Sequence, residues 1–159
     1  MVNGMKTLVL GLGNDIIADD AIGVLAAQKL EPLLEGQADV MDSSVAGMAL
    51  LEILMDYDRA IIIDAIVTGK NPPGTITEMK PEELGTVAAP SAHYAGLPEV
   101  VALAKQMDIK FPQEMVILAM EVKDALTIGG EMSAEVLDAL PALIAKVQEQ
   151  FRAWEEQTQ

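Results

Sequence analysis

Arg59-Ala60-Ile61-Ile62-Ile63-Asp64-Ala65 is the stretch that decides how this chain reads. It is rich in β-branched residues, shows no polar alternation, and interrupts its apolar run with one carboxylate. A strand without alternation has both faces covered, which places it at the centre of a parallel sheet flanked by helices. Thr7-Leu8-Val9-Leu10-Gly11-Leu12 reads as a first strand of the same kind, and Ala38-Asp39-Val40-Met41-Asp42 as a second. Between them Ile22, Leu25, Ala26, Leu30 and Leu33 recur at helical spacing, predicting a helix over about 19–34 with Asp19 or Asp20 at its start and Gly36 beyond its end. A second helix is expected over 47–57.

Beyond the central strand, 69–74 reads as loop and 75–79 alternates like an edge strand. Residues 81–96 are irregular. Pro98 suits a first helical turn, predicting a helix to about Met107. Glu114 to Met120 forms a last strand, and 133–154 a closing helix that Pro141 should break or bend. No repeat, linker or low-complexity segment appears. The order predicts one domain over 1–159, an α/β fold built as a three-layer α/β/α sandwich with a mostly parallel central sheet of about five strands.

At 159 residues the chain is long enough for one sizeable core. Aromatic residues make up only 3%, so aliphatic side chains and ten Met must fill it. The formal charge of −15 argues against nucleic acid and against an anionic membrane surface as partners. With no Cys, disulfides, thiol catalysis and thiolate zinc sites are excluded, and a reducing, cytoplasmic setting is expected. The apolar stretch near the amino terminus is too short for a signal peptide or a membrane span.

The strand ends bring Asp20, Asp42, Asp64 and His93, the only histidine, towards the carboxyl edge of the sheet, where open α/β sheets bind ligands. Hard oxygen donors with one imidazole and no thiolate suit a borderline divalent metal. Each residue also has a plainer reading. One of Asp19 and Asp20 serves as a helix cap, which leaves the other free to face the crevice. Asp64 is a buried carboxylate, costly unless paired, hydrogen-bonded or bound to a cation. Asp42 precedes Ser43-Ser44, where an Asx turn is equally plausible. A lone loop histidine such as His93 is more often a surface residue than a ligand.

Gly11-Leu12-Gly13-Asn14 invites a dinucleotide reading, with Asp42 as the ribose-binding acid. That motif requires a small residue where Ile16 stands. No HExxH, nucleophile elbow or phosphate-binding loop is present. Nothing specific supports a serine hydrolase pairing His93 with Ser43, Ser44 or Ser91.

Taken in order, Gly11-Leu-Gly-Asn-Asp-Ile-Ile-Ala-Asp-Asp-Ala-Ile-Gly23, Asp42, Ile-Ile-Asp64-Ala and Ser91-Ala-His93 followed by Leu97-Pro-Glu-Val resemble the hydrogenase maturation proteases. These endopeptidases trim the carboxyl-terminal tail of the nickel-iron hydrogenase large-subunit precursor. The resemblance implies a three-layer α/β fold and a partner that presents nickel already inserted. It implies Asp20, Asp64 and His93 as the metal ligands, and Asp42 as a further aspartate with a catalytic or positioning role. The nickel would come from the precursor, so the free enzyme, expected to be a monomer, should hold no tightly bound metal. Where the family often shows Gln-Pro after the last strand, this chain has Glu121-Val122, which bears on the crevice rim and the choice of subunit. Two other readings stay open: a nickel-sensing or chaperone-like module without proteolysis, and a nucleotide-binding enzyme using Gly11 and Gly13.

Overall fold

The computed structural model describes residues 4–86, 93 and 96–157. Its centre is the strand predicted to be there. β3 (Arg59–Ile66) is buried at every position and lies third in a five-stranded sheet ordered β2-β1-β3-β5-β4. β1 (Thr7–Leu12), β2 (Asp39–Ser43), β3 and β5 (Glu114–Glu121) run parallel. β4 (Ile76–Met79) closes one edge antiparallel to β5. The alternation read at 75–79 is that of this edge strand.

Side-chain parity along the strands builds two apolar layers. Leu8, Leu10 and Leu12 of β1 join Ala60, Ile62 and Ile66 of β3 under α2 (Leu50–Leu54) and α3 (Leu97–Gln106). Val9, Ile61, Ile63, Val116 and Leu118 face the other way, under α1 (Ile22–Leu30) and α4 (Ala134–Gln157). The predicted three-layer sandwich is therefore present.

Three helix predictions need correction. α1 ends at Leu30 rather than near 34, because Pro32 offers no N–H to the next helical turn. The expected helix over 47–57 is a short 3-10 turn (Gly47–Ala49) and the five residues of α2. It stops where Met55 becomes extended and Asp56 takes a left-handed φ of 74°. Pro141 does not break α4, which continues through it. Pro141 and Leu137, whose carbonyl loses its helical donor, both lie on the exposed face, where solvent satisfies that carbonyl. The far end of α4 is tied to the sheet by Trp154, whose indole N–H donates to Glu114 at 2.8 Å and whose ring lies 4.7 Å from the Arg59 guanidinium carbon.

α1 approaches β1 more closely than any side chain would allow. A Cβ at Gly11 would meet the Gly23 carbonyl oxygen at 2.0 Å, and one at Gly23 would meet the Leu12 oxygen at 2.2 Å. Both obstacles are backbone, so neither can yield cheaply. Gly23→Ala is expected to destabilise the protein by about 3 kcal/mol. Urea denaturation with both proteins measured in parallel checks this; an unchanged midpoint would refute the contact as a constraint.

Candidate functional site

The segment between β1 and α1 sets Asp20 in place. The chain leaves β1 at Leu12 and turns through Gly13, where a Cβ would lie 2.1 Å from the Asp20 carbonyl oxygen. A 3-10 turn (Ala18–Ala21) is thereby laid across the end of the strand. Asp20 on this turn accepts the Asn14 N–H at 2.9 Å, and the same oxygen, Oδ2, lies 3.3 Å from His93 Nε2. Asp64, on the neighbouring β3, is fully buried and accepts the N–H of Ala65 at 2.9 Å. His93 precedes α3, and its carbonyl accepts the Gly47 N–H at 3.3 Å. One potential ligand atom from each of Asp20, Asp64 and His93 lies within 4.8 Å of the others, the sole such group of three among the described residues.

Asp20 and His93 line a crevice of about 500 Å³ together with Asn14, Ser44, Ala65, Val67, Lys123 and Leu126, while Asp64 lies buried behind it. The imidazole is about 15% exposed and the Asp20 side chain about 13%, so the donors are reachable from outside without being open to bulk water. The hydrogen bond to Asp20 raises the His93 pKa above its ordinary 6.5. Burial opposes the shift, while the charges of Asp64 and Asp20 and a backbone hydrogen bond at Val45 reinforce it. The site therefore holds the imidazole proton more tightly than an exposed histidine would. Two carboxylates and one imidazole can bind a divalent cation through nitrogen and oxygen, but His93 must first lose its proton.

Asp42 does not join the group. It is exposed on edge strand β2 and stands in register with Gly11, whose Cβ direction points at α1. Asp64 shares the parity of Ile62 and Ile66, which face α2 and α3. The two aspartates thus stand on opposite faces of the sheet. The turn weighed at Asp42 is made by Ser43 instead, whose Oγ accepts the Val45 N–H at 3.3 Å. Ser44 lines the crevice, and Ser91 lies outside the described residues.

Asp19 is not a helix cap. It is fully buried, and its carboxylate accepts four hydrogen bonds at 2.6–3.1 Å, from the Lys123, Asp124 and Ser133 N–H groups and the Ser133 hydroxyl. Its own N–H donates to the Asp124 carbonyl at 2.8 Å. Asp19 therefore pins the β5–α4 loop against the crevice while its neighbour Asp20 faces inward. The sequence reading missed this loop. Its signal was Leu126 and Ile128, apolar residues in a segment with no helical or strand periodicity.

The nucleotide reading fails on the same geometry. The amides that would cradle a phosphate are occupied: Gly13 N–H by Ser43 O, Asn14 N–H by Asp20, Ile16 N–H by the Asn14 side chain, and Ile17 N–H by Asn14 O. Gly11 and Gly13 make room for backbone of this chain, not for a pyrophosphate.

Two outcomes follow. Asp19→Ala leaves four donors without their acceptor and should cost on the order of 3 kcal/mol of stability. A melting temperature equal to wild type would show that the loop does not depend on the clamp. The folded state holds the His93 proton more tightly than the unfolded chain does. That contribution is fully present below the unfolded value near 6.5 and is lost as pH rises through the higher folded value. The stability gap between wild type and His93→Gln should accordingly be wider at about pH 6 than at about pH 9. A gap independent of pH would remove the ion pair with Asp20 from the account.

Comparison with known proteins bears on the fold and the family. The hydrogenase maturation protease family model matches residues 24–150. The hydrogenase 2 maturation protease of Escherichia coli K12 is 32% identical over 152 residues, covering 91% of this chain and 92% of its own. The hydrogenase expression/formation protein HupD of Rhizobium leguminosarum is 29% identical, covering 94% and 75%. Among solved structures, the hydrogenase maturating endopeptidase HybD from E. coli superposes with a TM-score of 0.80 at 30% identity, over 94% of this chain and 93% of its own. The [NiFe] hydrogenase maturation protease HybD from Thermococcus kodakarensis gives 0.70 at 25% identity, over 92% and 99%. With its sheet, its helices and nearly its full length accounted for, the chain belongs to the hydrogenase maturation protease family and is a peptidase.

Proposed function

We propose that the protein removes the carboxyl-terminal extension of a nickel-iron hydrogenase large-subunit precursor, and that it recognises the nickel already in that precursor through Asp20, Asp64 and His93. The observation that carries this reading is the gathering of three donor atoms within 4.8 Å beside a crevice that Asp20 and His93 line. The nickel is part of the substrate, held by the precursor's own ligands. A protease without thiols contributes only oxygen and nitrogen donors, so it completes a coordination shell rather than competing for the metal. Engagement releases the His93 proton, and the cation then takes over from imidazolium in balancing the two carboxylates. Bound between both proteins, the nickel would orient the cleavage segment and polarise a carbonyl or a water.

The proton acceptor is best sought in the crevice, where the carboxylates of Asp20 and Asp64 stand. Asp42 is suited to positioning: it is exposed on the outer strand and displays its charge to whatever lies along that edge. A binding module that senses nickel without cutting would use the same three donors, and the assay below separates the two.

Purified protease, shown by elemental analysis to hold no stoichiometric metal after chelation, is mixed with nickel-loaded and nickel-free precursor. Wild type should shorten the loaded form only. Asp20→Ala, Asp64→Ala and His93→Ala should each slow processing by on the order of 100-fold, as loss of a charge-stabilising group does elsewhere. Asp42→Asn should act mainly on KM. Equal processing of nickel-free precursor would refute nickel recognition. A loaded precursor that binds but stays full length would leave only the binding module.

A further inference from the structure

A metal-binding crevice accounts for Asp20, Asp64 and His93 but not for what surrounds them. Ile16, Val67, Leu126 and Ile128 are 58%, 50%, 87% and 75% exposed. They come from three separate segments, those that follow β1, β3 and β5. Val67 directly follows β3 and lines the crevice, as does Leu126. The segments carrying Ile16 and Ile128 are bonded to each other: Gly129 N–H donates to Ile16 O, Ala18 N–H donates to Thr127 O, and Ile17 pairs with Ile128. Scattered exposed apolar residues need no explanation, whereas apolar residues grouped on neighbouring segments beside a cleft mark an interaction surface.

The group is also held in place. Asp19 pins both ends of the 123–133 segment. Asp124 accepts the N–H groups of Leu126 and Thr127, each at 3.0 Å, and the contact with Thr127 keeps its carboxyl below the usual carboxylate range. Glu121 does the same for the residues after Val67, accepting the Thr68 N–H at 2.7 Å and the Gly69 N–H at 3.2 Å. Ordering these residues beforehand lowers the entropy lost when something binds.

We infer that these four side chains form a docking lip for an extended segment of the precursor that carries apolar residues flanked by Lys or Arg. The inference rests on the protease reading, since it is the lip's continuity with the metal crevice that selects a polypeptide bearing the metal as occupant. The flanking charge follows from complementarity. Exposed Asp15 and Glu131 border the same segments and outnumber the exposed Lys123 of the crevice lining, and the chain as a whole carries −15. The lip therefore adds affinity away from the reacting bond, leaving Asp20, Asp64 and His93 to read the metal.

The test titrates fluorescently labelled full-length precursor with wild type, with Leu126→Ser/Ile128→Ser, and with Met107→Ser as control, at low and high salt. Met107 is comparably exposed, at 60%, but follows α3 at the opposite edge of the sheet. The double variant removes almost no buried surface, so its fold should persist; circular dichroism verifies this. Its Kd should rise roughly tenfold or more, as expected when apolar anchors are lost. Met107→Ser should match wild type, and high salt should weaken wild-type binding. An unchanged Kd in the double variant would overturn the lip, as would failure of wild type to bind precursor. Sedimentation showing a wild-type dimer that the double variant dissolves would also overturn it, by making a second copy the occupant. The same samples run on a gel separate the two readings. Cleavage with an unchanged Kd sinks the lip and leaves the protease standing. A weakened Kd without cleavage by wild type does the reverse.

Discussion

The contact on which the site depends is backbone against backbone, between the end of β1 and the segment leading into α1. Three positions without side chains, Gly11, Gly13 and Gly23, let this segment lie where a Cβ would overlap a carbonyl oxygen. Any other residue there would push the 3-10 turn of Asp20 away from the sheet, and the ligand group would separate. β1 ends at Leu12 while β3 continues to Ile66. The turn can therefore reach over the shorter strand and set Asp20 beside Asp64 of the longer one. A glycine pattern that looks like a phosphate loop is in fact the means by which one carboxylate is delivered to another.

Bringing two carboxylates together has an electrostatic cost, and the site offsets it with a removable charge. Asp64 is fully buried, so its ionised form needs compensation. His93, its pKa raised first by the hydrogen bond to Asp20, supplies a positive charge when it is protonated. A cation entering the crevice would take over that role and release the proton. Under the proposed function, such an exchange would favour metal already held by a partner over free metal. This is the balance that the proposed function requires, since a protein that gripped free metal tightly would report on the medium rather than on its partner.

The sheet was legible in the sequence because burial on both faces leaves a direct trace. The unbroken run of β3 had one physical explanation, and a single acid inside it stood out. Helix ends were less legible. Pro32 truncates α1 although the apolar spacing continues to Leu33, whereas Pro141 is absorbed on the exposed side of α4. Both prolines are exposed, so exposure alone does not decide whether a helix ends at one. Asp42 could not have been placed without the register: only its pairing with Gly11 shows that it stands on the other face from Asp64. Asp19 was harder still. The partners that distinguish it from Asp20 lie 104 to 114 residues away, and nothing local in Asp19-Asp20 says which carboxylate turns inward.

The Glu121-Val122 pair, where the family often has Gln-Pro, shows how a change away from the ligands still reaches the site. Proline has no N–H, but here Val122 N–H donates to Ile66 O at 2.9 Å, adding a bond to the β3–β5 ladder. A glutamine side chain has one acceptor oxygen, whereas both oxygens of the buried Glu121 carboxylate accept, one from the Thr68 hydroxyl and the other from the N–H groups of Thr68 and Gly69. The Glu121 backbone also pairs with the following loop, its carbonyl accepting the Gly74 N–H at 2.7 Å and its N–H donating to Thr75 O at 2.8 Å. The loop after Val67 is thus held at both ends by one residue. Val67 and the β5–α4 loop residues Lys123 and Leu126 line the same crevice, so Asp19 and Glu121 each hold one segment of its lining. Neither carboxylate belongs to the group of three donors, yet both order the chain that borders it.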